Sequence, residues 1–572
     1  MLIGIDVGGT YTDAALIEAG RVKKWAKIPT RRDILSSLLE ALDEVTEGID
    51  PGCINRVSLS TTLITNLIAE EKAEPVGLIA IPGPGANPGD FPVFADSKLL
   101  KGSIDYRGRE TQPLDLTEAA EALDEFNRRG IQKVAVVGKF SVRNNQHEIQ
   151  IAEMARKKFP DMELELGHQA AGQLNFPRRA ATCRLTAATR NDFNNFSQQV
   201  QNALRQRGIK SPVYILKADG GTMLLEKAAR YPVETIFSGP AASTMGVIAL
   251  TAKGQTSVVV DVGGTTTDLA LILSGRPLLS SRGLRIGQYL TQVRGFAVKS
   301  VALGGDSQVL VENGKIRISP QRVGTARCLG GPVPTPTDAL RVLALTDIGD
   351  AGLARAAIAD VAAYLGITEN SAVEKVAQQI VDEVIKKLVH EINEMFHQWE
   401  QEPAYRVWEV MQKEKIRPQN VVGVGGSAPS LVPLVARAIN CHSLIPPFAP
   451  VANAVGAAVA RPTIAASLRV DTETGVYTVA EDGHQDKLRP GEKERFHLEQ
   501  AEALALRLLS ERALSLGLGD YGKEAEVTHR ELFNVIRGWS RVGRIIDVRV
   551  QITPGLIGDW ISPADNLEVV QA

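Results

Sequence analysis

The chain has 572 residues, too many for one ordinary core, so the length suggests roughly three or four domains. Apolar residues make up 44% and charged residues 23%, and Lys plus Arg number 64 against 66 Asp plus Glu. That balance offers no positive field for nucleic acid or anionic lipid, and no run of about 20 apolar residues is present to span a membrane. Cys53, Cys183, Cys328 and Cys441 are scattered, which excludes a CxxC pair or zinc knuckle and fits a reducing compartment. The sequence opens on a strand-like run, Met1–Asp6, rather than a basic and then apolar leader, so a cytoplasmic location is expected.

In chain order, Leu2–Ile5 and Ala14–Ile17 read as strands flanking a Gly-Gly turn. Arg31–Glu47 has helical periodicity. Val57–Ser60 is a strand leading into a helix over Thr61–Glu71, and Ile81–Pro92 is a Pro/Gly-rich loop. A helix is expected over Leu116–Arg129, ending at Gly130, then a strand at Lys133–Val137 and a helix at Gln146–Phe159. This alternation predicts α/β layers. Val213–Leu216 is a strand ending at Lys217-Ala-Asp-Gly-Gly-Thr222, and Val258–Val260 and Leu269–Leu273 flank a second Gly-Gly turn. Residues 350–415 look like an all-helical insertion. Val421–Val424 is a strand and Leu431–Ile439 a helix. From 467 the character changes: a hairpin near Gly475–Leu488, a helix over Lys493–Leu516 and strands near Arg544–Ile552. The expected division is 1–170, 171–466 and 467–572.

The chemistry lies in a repeat. Residues 6–21 read DVGGTYTDAALIEAGR and residues 261–276 read DVGGTTTDLALILSGR, identical at 12 of 16 positions. Glycines without a Cβ let backbone N–H groups approach a phosphate and permit positive φ. The hydroxyls of Thr10, Thr12, Thr265, Thr266 and Thr267 add donors. Asp6 and Asp261 end the first strand of each hairpin, where a carboxylate can hold Mg²⁺ through water or orient a nucleophile. A hairpin turn alone requires neither Asp before it nor Thr-x-Thr-Asp after it. A third element, Val421-Val-Gly-Val-Gly-Gly-Ser427, is a strand and glycine turn before a helix, which lets backbone lie flat against a base or ribose. His390, Glu394 and His397 share a helix face at a spacing able to ligate metal, among Lys386, Lys387 and Glu391, which suit a solvated face.

The two hairpins and the late Gly-Gly element, in that order, resemble the phosphate-1, phosphate-2 and adenosine motifs of the actin-like ATPase superfamily. Thr61-Thr-Leu-Ile-Thr-Asn66, Ile104-Asp-Tyr-Arg-Gly108, His147-Glu148, Ala218-Asp-Gly-Gly221, Ser238-Gly-Pro-Ala-Ala242 and Thr337-Asp-Ala339 narrow the likeness. Together they resemble the hydantoinase A/oxoprolinase family. The resemblance implies duplicated actin-like/ribonuclease H-like α/β ATPase domains, with a helical insertion and a small α+β C-terminal appendage. It implies ATP and Mg²⁺, and hydrolysis of a cyclic amide such as a hydantoin or a 5-oxoproline-like lactam through a phosphorylated carbonyl oxygen. By the same resemblance Asp6 and Asp261 are the catalytic and Mg²⁺ carboxylates. Gly8, Gly9, Thr10, Thr12, Gly263, Gly264, Thr265 and Thr266 cradle phosphates. Gly304, Gly305, Gly425 and Gly426 flank the nucleoside, and Thr61, Thr62, Asn66 and Asp219 face the substrate. An oligomer and a second subunit of the hydantoinase B type are also implied. The chain departs from the family pattern at Ser243, over Leu303–Ser307 and over Ser319–Gly331. Those departures leave open an ATPase that remodels a partner protein, a carbonyl-activating subunit of a carboxylase, and a small-molecule kinase.

Overall fold

The computed structural model describes residues 1–563 except 32, 252–253, 281, 368, 370, 402–415, 482, 490 and 559. Its first sheet runs in the order Thr222–Leu224, Val213–Leu216, Arg56–Thr61, Leu2–Val7, Tyr11–Glu18, Arg21–Pro29. Leu2–Val7 is antiparallel to Tyr11–Glu18 and parallel to Arg56–Thr61. It is central because its apolar residues are buried on both faces; Ile3, Ile5 and Val7 are all fully buried. This sheet takes strands from both sides of residue 170.

The second sheet repeats the plan. Ser257–Val262 is antiparallel to Thr267–Leu273 and parallel to Asn420–Val424, with Val298–Val301 pairing on the outer side of Thr267–Leu273. The register is the same in both copies: Asp6 opposes Asp13, and Asp261 opposes Asp268.

Between the copies lie the helices Ser238–Leu250 and Ala452–Val459. Their contact is made by small residues. A Cβ on Gly456 would overlap the Ala242 carbonyl, one on Gly246 the Ala452 carbonyl, and one on Gly4 the Ala454 carbonyl. The helix Ala452–Val459 is thus pressed against both the neighbouring helix and the first strand. Gly456→Ala should lower stability by about 1–3 kcal/mol, because backbone rather than a flexible side chain must give way. Denaturant unfolding of the purified variant checks this, and an unchanged midpoint would contradict the packing.

A third sheet, wholly parallel, is formed by Glu163–Leu166, Lys133–Gly138, Val76–Ile81 and Ser97–Leu99. Both faces are covered. Leu78 and Ala80 pack against Phe176–Gln206, while Ile79 and Ile81 pack with Leu123, Phe126 and Ile151 of the helices Leu116–Arg128 and Gln146–Lys158. The helical insertion contains Ala351–Tyr364 and Ala372–Glu400. Val376, Ile380, Val384, Leu388 and Ile392 recur every fourth residue and are buried. The rest of the expected insertion, 402–415, lies outside the described residues. The C-terminal unit is a five-stranded antiparallel sheet, with Ala501, Ala505 and Leu509 of the helix Leu498–Ser515 packed on it. Its longest pair, Glu526–Arg537 with Ser540–Ile552, ends at a fully exposed Trp539. No described helix is long and apolar enough to cross a membrane.

Candidate active site

Both Gly-Gly turns close in the same way. Gly8 N–H donates to Tyr11 O at 3.1 Å, and Gly263 N–H donates to Thr266 O at 3.0 Å. The positive φ expected at these glycines is absent from Gly8, Gly9, Gly263 and Gly264; of the two late glycines, Gly425 has it, at φ 87°. The glycines of the turns serve close approach instead. A Cβ on Gly264 would stand 2.7 Å from Asp306 Oδ2 and 3.5 Å from Thr10 Oγ1, so the tip of one hairpin meets the tip of the other. Nothing lies within 4 Å of a Cβ built on Gly9 or Gly426, and both face open space.

The floor between the tips is acidic. Asn453 Nδ2 donates to Asp6 Oδ2 at 3.1 Å and to Asp261 Oδ2 at 3.2 Å, joining the two copies through one side chain. Asp13 pairs with Lys27 at 2.6 Å, and Lys27 also reaches Pro450 O at 2.9 Å. Burial pushes Asp13 up to about 7 despite Lys27. Asp268 is also pushed up to about 7, by burial and then by the Asp261 charge, against a hydrogen bond from Ser300. Burial raises Asp6 and Asp261 too, opposed by Ser60 and Asn453 at Asp6 and by Asn453 at Asp261. Asp268 Oδ1 is buried without a partner. Four carboxylates, one with an oxygen left unpartnered, and a single lysine form a site that lacks positive charge. Hard oxygen donors of this kind fit Mg²⁺, which keeps several waters and takes one or two carboxylates. Among the described residues no three His, Cys, Asp or Glu side chains converge as a metal cage, including His390, Glu394 and His397.

Gly304 and Gly305 pack against the second turn. Gly305 N–H donates to Gly263 O at 3.0 Å, and Thr337 Oγ1 donates to Gly305 O at 2.7 Å. A Cβ on Gly425 would crowd Asp261 Oδ1 at 2.8 Å. Thr265 and Thr266 stay on the partly exposed turn. Thr12, expected among the phosphate donors, is instead fully buried, with its hydroxyl 2.9 Å from that of Thr30. Thr62 Oγ1 donates to Val7 O at 3.4 Å and accepts from Asn66 Nδ2 at 3.3 Å, beside the end of the first strand. Thr61 is buried, and its N–H donates to Ser238 Oγ. Asp219 stands apart from the acidic floor. It accepts from Gly221 N–H and Thr463 Oγ1 and pairs with Lys217 at 3.2 Å. Burial works against its charge, yet Lys217, the Gly221 N–H and Arg294 hold the carboxyl below its usual range.

Asn453 and Lys27 were not singled out in the sequence. Each carried a signal: Asn453 is the one polar residue of the helix Ala452–Val459, and Lys27 is the cross-strand partner of Asp13. Glu148, of the His147-Glu148 pair, and Arg179 hold backbone in place instead. Arg179 is buried and donates to the carbonyls of Gln173, Gly138 and Lys139, and Glu148 accepts from Gly138 N–H and the His168 ring.

The hydantoinase/oxoprolinase N-terminal region model matches residues 2–88 and 90–159, and the hydantoinase/oxoprolinase model matches 179–466. The chain belongs to the hydantoinase/oxoprolinase family. It is 27% identical over 397 residues to the caprolactamase subunit alpha of Pseudomonas jessenii, covering 61% of this chain and 55% of that one. It is 26% identical over 389 residues to the acetophenone carboxylase gamma subunit of Aromatoleum aromaticum, covering 60% and 53%. The chain spans about half the length of the curated relatives it matches. In fold it is similar to a nucleotide-free acetone carboxylase, with a TM-score of 0.70 and 16% identity over 97% of this chain and 87% of that one. The ATP-dependent caprolactamase of Pseudomonas jessenii gives 0.68 and 21% over 96% and 87%. The actin-like α/β architecture expected of the duplicated hairpins is therefore the observed one.

Proposed function

We propose that this family member binds ATP with Mg²⁺ between the two Gly-Gly turns and uses it to open a cyclic amide, such as a hydantoin or a 5-oxoproline-like lactam. The observation that carries the reading is the Asn453 bridge, which sets Asp6 and Asp261 side by side beneath two opposed phosphate turns. An amide oxygen is a weak nucleophile and its carbon a weak electrophile, so the site has to position the reactants and neutralise phosphate charge. ATP supplies the phosphoryl group and Mg²⁺ the neutralising charge. The turn N–H groups of Gly9 and Gly264 hold the phosphates, and Asp6 and Asp261 hold the metal through water. Gly425 and Gly426 leave room for the nucleoside, while Thr62 and Asn66 face the amide at the strand end. Similarity to a caprolactamase subunit supports the cyclic amide, and similarity to two proteins named as subunits supports a second chain of the hydantoinase B type. A cytoplasmic oligomer completes the reading. The acetophenone carboxylase likeness favours one alternative, in which the same carbonyl activation serves a ketone before carboxylation.

Phosphate release from ATP, measured with hydantoin, 5-oxoproline, caprolactam and smaller lactams, alone and with any co-purifying subunit, tests this. At least one lactam should raise release about tenfold or more. Release indifferent to every amide, but raised by a ketone with bicarbonate, would transfer the assignment to the alternative. Asn453→Ala should move the acidic limb of turnover to higher pH, since its amide lowers both carboxyls. A pH profile superposable on the parent's would remove Asn453 from the site.

A further inference from the structure

A cavity of about 160 Å³ lies between the first lobe, the helix Phe176–Gln206 and the C-terminal sheet, lined by Thr182, Asp219, Arg294, Arg512 and Arg549 among others. It opens at the carboxyl edge of the first sheet. Leu2–Val7, Arg56–Thr61 and Val213–Leu216 are parallel neighbours, so Lys217 and Asp219 sit about 10 Å to the side of Asp6 along the hydrogen-bonding direction. The acidic floor and this cavity are separate places on one edge.

Its charges do not cancel. Lys217, Lys227, Arg294, Arg512 and Arg549 line it against Asp219, Glu234 and Glu481. Lys227 is half exposed at the rim and is matched by Glu226 at 3.9 Å, outside the lining, which leaves an excess of one positive charge within. The acids are already engaged. Asp219 takes Lys217, Gly221 N–H and Thr463 Oγ1. Glu481 takes Ser467 N–H and Oγ, both at 2.7 Å. Glu234 stands 3.8 Å from Lys217. Arg294 donates to Gln551 at 2.7 Å. Arg549 Nε and Arg512 Nη1, by contrast, are buried with no partner. Burial, with Arg294 nearby, lowers Arg549 to about 10. Two buried guanidinium donors left unmatched are costly, and an anion reaching both would remove that cost.

The geometry points to a binding site for a small monocarboxylate with an apolar body, its carboxylate seated on Arg549 and Arg512. One net charge is matched by one carboxylate, whereas a doubly charged phosphate would leave an excess of negative charge beside the three acids, of which Asp219 is buried. Met223, Val293 and Leu516 supply an apolar lining for the remainder of the ligand. The volume is below the roughly 300–1,000 Å³ of drug-sized clefts, so the ligand is metabolite-sized. The site goes beyond the phosphoryl-transfer reading and does not depend on it.

Isothermal titration calorimetry on the full chain, with hexanoate, hexanamide and inorganic phosphate as probes, tests the site. Binding of a nucleotide analogue is recorded on the same samples. Hexanoate should bind at millimolar concentration or below, with hexanamide and phosphate at least about tenfold weaker. Arg549→Met and Arg512→Met lie on a strand and a helix respectively, so a folding defect in one leaves the other informative. Each should weaken hexanoate roughly tenfold to a hundredfold while the analogue binds as in the parent. The site is overturned if hexanoate fails to bind, if hexanamide or phosphate binds as tightly, or if both variants keep parental affinity. Loss of analogue binding in the parent would instead count against the phosphoryl-transfer reading alone.

Discussion

Replacing Asp261 with asparagine should lower ATP turnover on the order of 10³-fold and leave the fold intact. The amide keeps the shape of the carboxylate and can still meet Asn453 after rotation. It cannot carry the charge that Mg²⁺ or a developing positive centre requires. Stability should not suffer, because burial already disfavours the Asp261 charge and Asp6 adds repulsion. Turnover therefore falls while stability holds in one variant, which separates a chemical role from a structural one. Asp6→Asn should behave likewise, since Asp6 holds the equivalent register position and shares Asn453. Phosphate-release rates, read beside melting curves, decide it. Turnover within tenfold of the parent would dismiss Asp261 as a reacting-site carboxylate.

The part of this site that could be read in the sequence is the part built from contiguous residues. A tight turn fixes hairpin register, so Asp6 opposite Asp13 and Asp261 opposite Asp268 follow from the spacing around Gly-Gly. Asn453 could not be placed that way. It lies 447 residues from Asp6 and 192 from Asp261, and only the packing of Gly4, Gly246 and Gly456 brings its helix between them. The helix Phe176–Gln206 is unmarked in the sequence for a different reason. Arg179, Ala180, Ala181, Thr182 and Cys183 are buried in succession, so no single apolar stripe marks it. Ser238–Leu250 is also buried nearly all round, and its apolar run has no periodic face. Asp219 shows the limit at the site itself. Its motif placed it with Thr61, and both do sit at the carboxyl edge of the first sheet. The side chain nevertheless turns into the neighbouring cavity, toward Lys217 and Thr463.

The acidic floor should make stability depend on pH in a way that one substitution can isolate. Asp13 and Asp268 titrate at about 7 in the folded protein and near 3.9 when unfolded. Between those values the folded state retains protons that the unfolded chain has released. The contribution of these groups is thus fully present below about pH 4 and is lost as pH rises to about 7. Carboxyls held low, such as Glu148 and Asp219, act in the opposite sense, so the whole-protein curve mixes both. The difference between parent and Asp268→Asn removes the shared part. At pH 5 Asp268 is protonated in the folded parent but has lost its proton in the unfolded chain, so about a third of the contribution is already lost and the variant should be more stable by only a small margin. At pH 8 the parent carries a buried charge with an orphaned oxygen beside Asp261, and the variant should be more stable by on the order of a few kcal/mol. Adding Mg²⁺ at pH 8 should stabilise the parent more than the variant, because the cation offsets repulsion that the variant has already lost. A melting-temperature difference that stays flat from pH 5 to pH 8, with or without Mg²⁺, would mean that the four carboxylates do not act as one charged site.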